Sequence, residues 1–203
     1  DQNLKSAIQA YKGSEPIEVE FMAFQLNPTQ EKSLAPDNPI NYTIKKGLPE
    51  ERIRQSFKYI ENEAKNLGLP MNIEKAKVVN SLDCLRLLKY AQKNEKYEEI
   101  KDDLFKAYFA EGKDLSDRDF LLTIADKNKL NVAEVSSFLN SKEMIAEVNQ
   151  DRNLGISKGL QGVPFFVIDN SYVLSGNQSK ENFLNVFEKI NQSSISGESC
   201  DIA

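Results

Sequence analysis

The chain has 203 residues, 40% hydrophobic and 28% charged, enough to bury an ordinary core and outside the apolar-poor range of disordered chains. A net charge of −5 leaves no basic stripe for nucleic acid, and no apolar run approaches the roughly 20 residues of a membrane span, so neither partner is expected. Histidine is absent and the two cysteines, Cys84 and Cys200, are far apart, which removes Ser-His and Cys-His nucleophile pairs, a local Cys-x-x-Cys and zinc-type spacing; no metal is expected, and an enzyme built from these residues alone would work with carboxylates, lysines, tyrosines or a cofactor.

Leu4, Ala7, Ile8 and Tyr11 recur at three and four, which predicts a short helix ending near Gly13. The period then falls to two. Ile17-Glu18-Val19-Glu20-Phe21 alternates apolar and acidic residues, a strand pattern that continues through Met22-Ala23-Phe24 and stops at Asn27-Pro28. Residues 28–48 are polar, carry Pro28, Pro36 and Pro39, and read as a loop.

From Pro49 to Lys158 nearly everything reads as helix. Ile53, Phe57, Ile60 and Ala64 mark one from Glu50 to Leu67, closed by Gly68 and Pro70. Asn80 or Ser81 caps the next, which contains Leu82, Leu85, Leu88 and Ala91. The pairs Leu104/Tyr108 and Phe105/Phe109 predict a helix stopping at Gly112. Ser116 with Asp119 and Asn131 with Glu134 resemble capping boxes, and a last helix is predicted from Ser141 towards Gly155.

Gly162-Val163-Pro164-Phe165-Phe166-Val167-Ile168 is a continuous apolar run, the pattern of a strand buried on both faces. Asp169-Asn170 signals a turn into a second strand, Tyr172 to Gly176, and Ser179 caps a helix through Phe183, Val186, Phe187 and Ile190. The Ser-rich tail from Gln192 is expected to be loosely held. The predicted class is α/β, a sheet domain interrupted by a large all-helical insertion. Residues 1–48 open the sheet domain, residues 49–158 form the insertion, residues 159–192 complete the sheet domain, and residues 193–203 are the tail.

Gly162 to Ile168, then Tyr172-Val173-Leu174-Ser175-Gly176-Asn177-Gln178 and the helix through Phe187, resemble the C-terminal half of the DsbA-like thioredoxin family, closest to its FrnE-type branch. Asn80 to Leu88, Leu104 to Phe109 and Glu111-Gly112-Lys113-Asp114 are similar to the helical insertion of that branch, and Phe24-Gln25-Leu26-Asn27-Pro28 to the end of its second strand. The resemblance covers almost the whole chain. Members open with a strand leading into a Cys-x-x-Cys turn, whereas this chain begins inside what resembles the helix after that turn. No catalytic cysteine is therefore assigned within the chain, and the resemblance implies roughly 20 to 25 residues upstream of Asp1, about a strand and a turn.

The candidate substrate-binding residues are Gly162, Val163 and Pro164. A proline opening a buried strand is ordinarily trans. The resemblance implies instead a cis proline beside the Cys-x-x-Cys turn, with the backbone of Val163 offered to an extended peptide, a short form of strand addition. Cys84, beside Leu85 and Leu88, reads as a buried apolar residue. Cys200 reads either as an accessory thiol, slowed by the neighbouring Glu198 and Asp201, or as an inert tail thiol. Tyr90, Tyr97, Tyr108, Phe105 and Phe109 read as core, or as the lining of a groove over the catalytic turn.

The activity the resemblance implies is thiol–disulfide exchange with protein or peptide substrates, with no cofactor, served by a redox partner, with the cytoplasm as the expected compartment. Two alternatives stand beside it: a kappa-class glutathione transferase or 2-hydroxychromene-2-carboxylate isomerase, which shares the fold but uses a serine and glutathione, and a non-catalytic peptide-binding module.

Overall fold

The computed structural model describes residues 2–31 and 36–196 and divides into two compact units, residues 1–21 with 153–203, and residues 22–152. In the first unit, α1 (Gln2–Ala10) buries Leu4 and Ala7 on one side, as their spacing requires. They pack with Phe183 and Phe187 of the C-terminal helix and with Phe166, Ile168 and Leu174 of a hairpin. The aromatic contacts run edge to face, Phe166 to Phe183 at 4.9 Å and Tyr11 to Phe187 at 5.6 Å, the arrangement ring quadrupoles favour.

The hairpin pairs β1 (Phe165–Ile168) with β2 (Tyr172–Ser175), antiparallel, with Phe166 opposite Leu174 and Val167 opposite Val173. Asp169 and Asn170 both take positive φ, 50° and 54°, and the Ser171 N–H donates to the Ile168 carbonyl at 3.2 Å. That is the turn an Asp-Asn pair accommodates, because short polar side chains tolerate the left-handed region. β1 is not buried on both faces as its apolar run predicts. Strand pleating sends Phe166 and Ile168 towards the helices and Val167 the other way, so Val167 and its register partner Val173 are exposed. The C-terminal helix extends beyond the predicted onset of the tail at Gln192, because no Gly or Pro interrupts Lys180–Ser196.

The predicted strand over residues 17–24 does not form among the described residues; the sheet consists of β1 and β2. Alternation supplies a face, but a strand also needs a neighbour for its N–H and C=O groups. At Ala23 the N–H is taken instead by a side chain, the Asp151 carboxylate, at 2.8 Å.

The second unit is helical. Residues 28–48 are not wholly loop: α2 (Pro39–Lys45) starts on Pro39, where no N–H is needed, and Asn38 caps it by accepting from the Asn41 N–H at 2.9 Å. α3 (Glu50–Asn66) follows. α4 (Leu82–Lys93) is preceded by Asn80, whose Oδ1 accepts from the Leu82 N–H at 2.9 Å. α5 (Tyr97–Lys106) runs into a wider π turn, Ala107–Glu111, and stops at Gly112. There φ is +67°, and any side chain would meet the Lys75 backbone carbonyl, so only glycine fits. α6 (Arg118–Lys127) is capped by Asp117 and not by Ser116, which bonds to Asp114. α7 (Val132–Asn140) is capped by Asn131 as its box predicts. α8 (Ile145–Ser157) begins later than Ser141, which closes α7 instead. The C-terminal helix is α9 (Lys180–Ser196).

Leu87, Ile100, Leu121, Val135 and Leu139 form the fully buried centre of this unit. Each large aliphatic side chain buried there contributes about 1.5–3 kcal/mol. Arg86 of α4 is almost fully buried and donates to the carbonyls of Phe138, Leu139, Ser141 and Glu143, at 2.7, 3.2, 3.0 and 2.8 Å. Its remaining charge is met by Asp83 at 2.8 Å, and its guanidinium lies 4.9 Å from the Phe138 ring centre.

Candidate functional site

The segment leading into β1 collects the three predicted binding residues. The Val163–Pro164 peptide is cis. The Pro164 carbonyl accepts from the Gly176 N–H at 2.8 Å, one step beyond the last ladder pair, Phe165 opposite Ser175. Val163 lies past the ladder and is 50% exposed. Among the described residues its own N–H and C=O have no hydrogen-bond partner. A backbone pair left open at the end of a strand can pair with another extended chain. A Cβ added at Gly162 would meet open space.

The Gln178 side chain, part of the Tyr172 to Gln178 motif, holds the facing end of β2 in place with two asparagines. Gln178 donates to the Ser175 carbonyl at 2.7 Å and accepts from Asn182 at 3.0 Å, while its own carbonyl accepts from Asn3 of α1 at 2.7 Å. Gly176, with φ of +80°, makes the bend between them. Asn3 and Asn182 escaped the sequence reading, because an amide in an amphipathic helix carries no periodic signal.

The other candidates lie elsewhere. Cys84 is buried in the helical unit, where loss of water pushes its thiol up to about 12, so at neutral pH it is a packed, protonated group. Cys200 lies outside the described residues. The aromatic residues also belong to the helical unit: Tyr90 packs on Phe138 at 5.0 Å, and Phe105 stacks with Phe109 at 5.9 Å while 52% exposed. Burial raises the Tyr97 and Tyr108 hydroxyls above their ordinary range. A groove of about 930 Å³, lined by Glu61, Lys65, Leu69, Met71, Asn72 and Glu74 among others, includes none of the predicted site residues. Among the described residues no acidic or sulfur cluster is placed to hold a metal, and no helix is long and apolar enough to cross a membrane.

The fold has solved counterparts. The structure is similar to that of a probable DsbA oxidoreductase from Streptomyces coelicolor, at 24% identity and a TM-score of 0.84, covering 99% of this chain and 85% of that one. A candidate protein disulfide isomerase from Nitrosomonas europaea is similar at 17% identity and 0.59, over 72% of this chain and 76% of that one. A 2-hydroxychromene-2-carboxylate isomerase is similar at 16% and 0.56, over 79% and 80%. At these identities the likeness is one of fold. No curated protein matches significantly. The family model for the DSBA-like thioredoxin domain matches residues 1–188, from α1 through the hairpin and into α9. That span takes in both the Val163–Pro164 segment and the helical unit, and it settles the assignment: this chain belongs to the DSBA-like thioredoxin domain family.

Proposed function

We propose that the protein is a thiol–disulfide oxidoreductase of protein or peptide substrates, of the FrnE-type branch, working in the cytoplasm through a Cys-x-x-Cys pair expected upstream of Asp1. The observation that carries this reading is the open backbone of half-exposed Val163 at the head of β1, within a DSBA-like domain. An extended substrate pairs there by its main chain, which is tolerant of side-chain sequence and suits a protein that handles many polypeptides.

In the reductive direction, a thiolate of the upstream pair attacks one sulfur of a substrate disulfide. A mixed disulfide forms, and the other substrate sulfur leaves as thiolate. The second cysteine, deprotonated, attacks the enzyme sulfur of the mixed disulfide and releases the second substrate thiolate. The substrate gains two electrons and the enzyme pair is oxidised; a redox partner of dithiol type restores it. In the reverse direction the same steps oxidise a substrate dithiol. Gly162, Val163 and Pro164 hold the peptide and donate no proton or electron in either direction.

The test is dithiothreitol-driven insulin reduction by the natural full-length protein. Accelerated precipitation of the insulin B chain is expected, with KM raised by Val163→Pro, which removes the pairing N–H, and kcat little changed. Absence of dithiol-dependent activity overturns the reading. The fold likeness to the isomerase favours one second reading, glutathione-dependent isomerisation, for which a serine at the upstream turn and activity requiring glutathione are the marks. Peptide binding without either activity marks the module.

A further inference from the structure

Helix α3 is unusual in this chain because 17 residues bury a single side chain, that of Ala64. Its inner side, with Ile53, Phe57 and Glu61, is half-covered. The adjoining strip carries Arg52, Ser56, Tyr59, Ile60, Glu63 and Leu67, spaced by three and four so that they share one face. Tyr59 is 62% exposed, Ile60 44% and Leu67 49%, and just before the helix Leu48 is also 49% exposed. Beside the strip Arg54 is paired with Glu50, and Gln55 bonds to Glu51, while Lys58 and Lys65 fall on the opposite side of the helix by their spacing. Arg52 has no ion-pair partner among the described residues, and the Glu63 carboxylate accepts only a long bond from the Asn66 side chain, at 3.5 Å.

This strip complements itself. When a second α3 runs antiparallel about a two-fold axis passing near residues 57 and 58, residue numbers that face each other have a constant sum. Arg52 then meets the partner's Glu63 and Ser56 meets the partner's Tyr59. Each contact occurs twice. The two unsatisfied charges of the strip thus find opposite charges, and the small Ser56 leaves room for the largest side chain. The antiparallel arrangement also sets each positive helix N-terminus beside a negative C-terminus. We propose that this outer face of α3 is a self-association surface that takes a second copy of this chain, with Arg52 and the partner's Glu63 fixing its register. The contact is one helix wide, so it makes a weak, concentration-dependent dimer and not an obligate one. The proposal is independent of the redox reading.

Sedimentation velocity on the full chain over a wide concentration range tests it. The weight-average mass is expected to rise from one copy towards two. Arg52→Glu and Glu63→Arg each weaken association about tenfold or more, because each removes two attractions and installs two repulsions. The combined charge swap restores it. All three variants change exposed or half-exposed positions, and circular dichroism checks that each is folded. A mass that stays at one copy at the highest concentration overturns the proposal, as it would if the face serves a different protein. So does association that ignores Arg52→Glu, or a charge swap no better than the single variants.

Discussion

Asp151 and Ala23, 128 positions apart in the sequence, are joined by a hydrogen bond of 2.8 Å from the backbone N–H to the carboxylate. The same carboxylate oxygen accepts from the Lys89 ammonium at 2.8 Å, with side-chain exposures of 16% for Lys89 and 9% for Asp151. One buried acid thus ties the 22–25 segment, α4 and α8 together. Asp151→Ala strands an amide and a mostly buried ammonium, so a loss of about 3 kcal/mol is expected in urea unfolding. Asp151→Asn, which still accepts from Ala23, costs clearly less; equal losses from the two variants would refute the amide's share.

Acid sensitivity follows from Asp83. Burial pushes its carboxyl upward, but hydrogen bonds from Arg118 at 2.7 Å and Arg86 at 2.8 Å, with their charges, outweigh that and hold it below the ordinary carboxylate value. A depressed folded value means that its stabilisation is complete above the unfolded pKa of about 3.9 and is lost as pH falls through the folded value. Urea midpoints taken from pH 6 down to pH 2.5 are expected to fall more steeply in the wild type than in Asp83→Asn. Parallel curves would count against the account.

Cys84 gives a clean kinetic readout. Its thiol, buried and held near 12, is expected to resist iodoacetamide and Ellman's reagent at pH 8 in a background where Cys200 and the proposed upstream pair are replaced by serine. Labelling should appear only at the urea concentrations that unfold the helical unit. Prompt labelling in native buffer would place that thiol at the surface.

Gly112→Ala should destabilise the protein by about 2 kcal/mol or more, since it combines a positive φ with a methyl group pressed on the Lys75 backbone. Gly47→Ala is the control, because positive φ alone applies there and its surroundings are open. Similar losses at the two positions would show that the close approach to Lys75 carries no weight.

Much of this was legible in the chain's periodicity. The helices α3 to α7 follow apolar spacings of three and four, and the hairpin follows a β-branched and aromatic run broken at Asp169-Asn170. What escaped was decided by a local cap in one place and by tertiary partners elsewhere. Pro39 reads as part of a loop, yet it opens α2 under the Asn38 cap. Residues 17–24 alternate like a strand, yet the Ala23 amide goes to a carboxylate far along the chain, which no local pattern announces. Val163 and Pro164 were found through resemblance to a family, and the Gln178, Asn3 and Asn182 bonds beside them have no signature in spacing at all.

A single guanidinium from α4 terminates α7 and grips the Glu143 carbonyl beyond it. That corner cannot fray on its own, because opening it would strand Arg86 in the interior. Amide protons of Ser141 and of the α4 interior should therefore exchange with deuterium in one event, at the rate of the whole helical unit, even though residues 141–143 look like an ordinary surface bend.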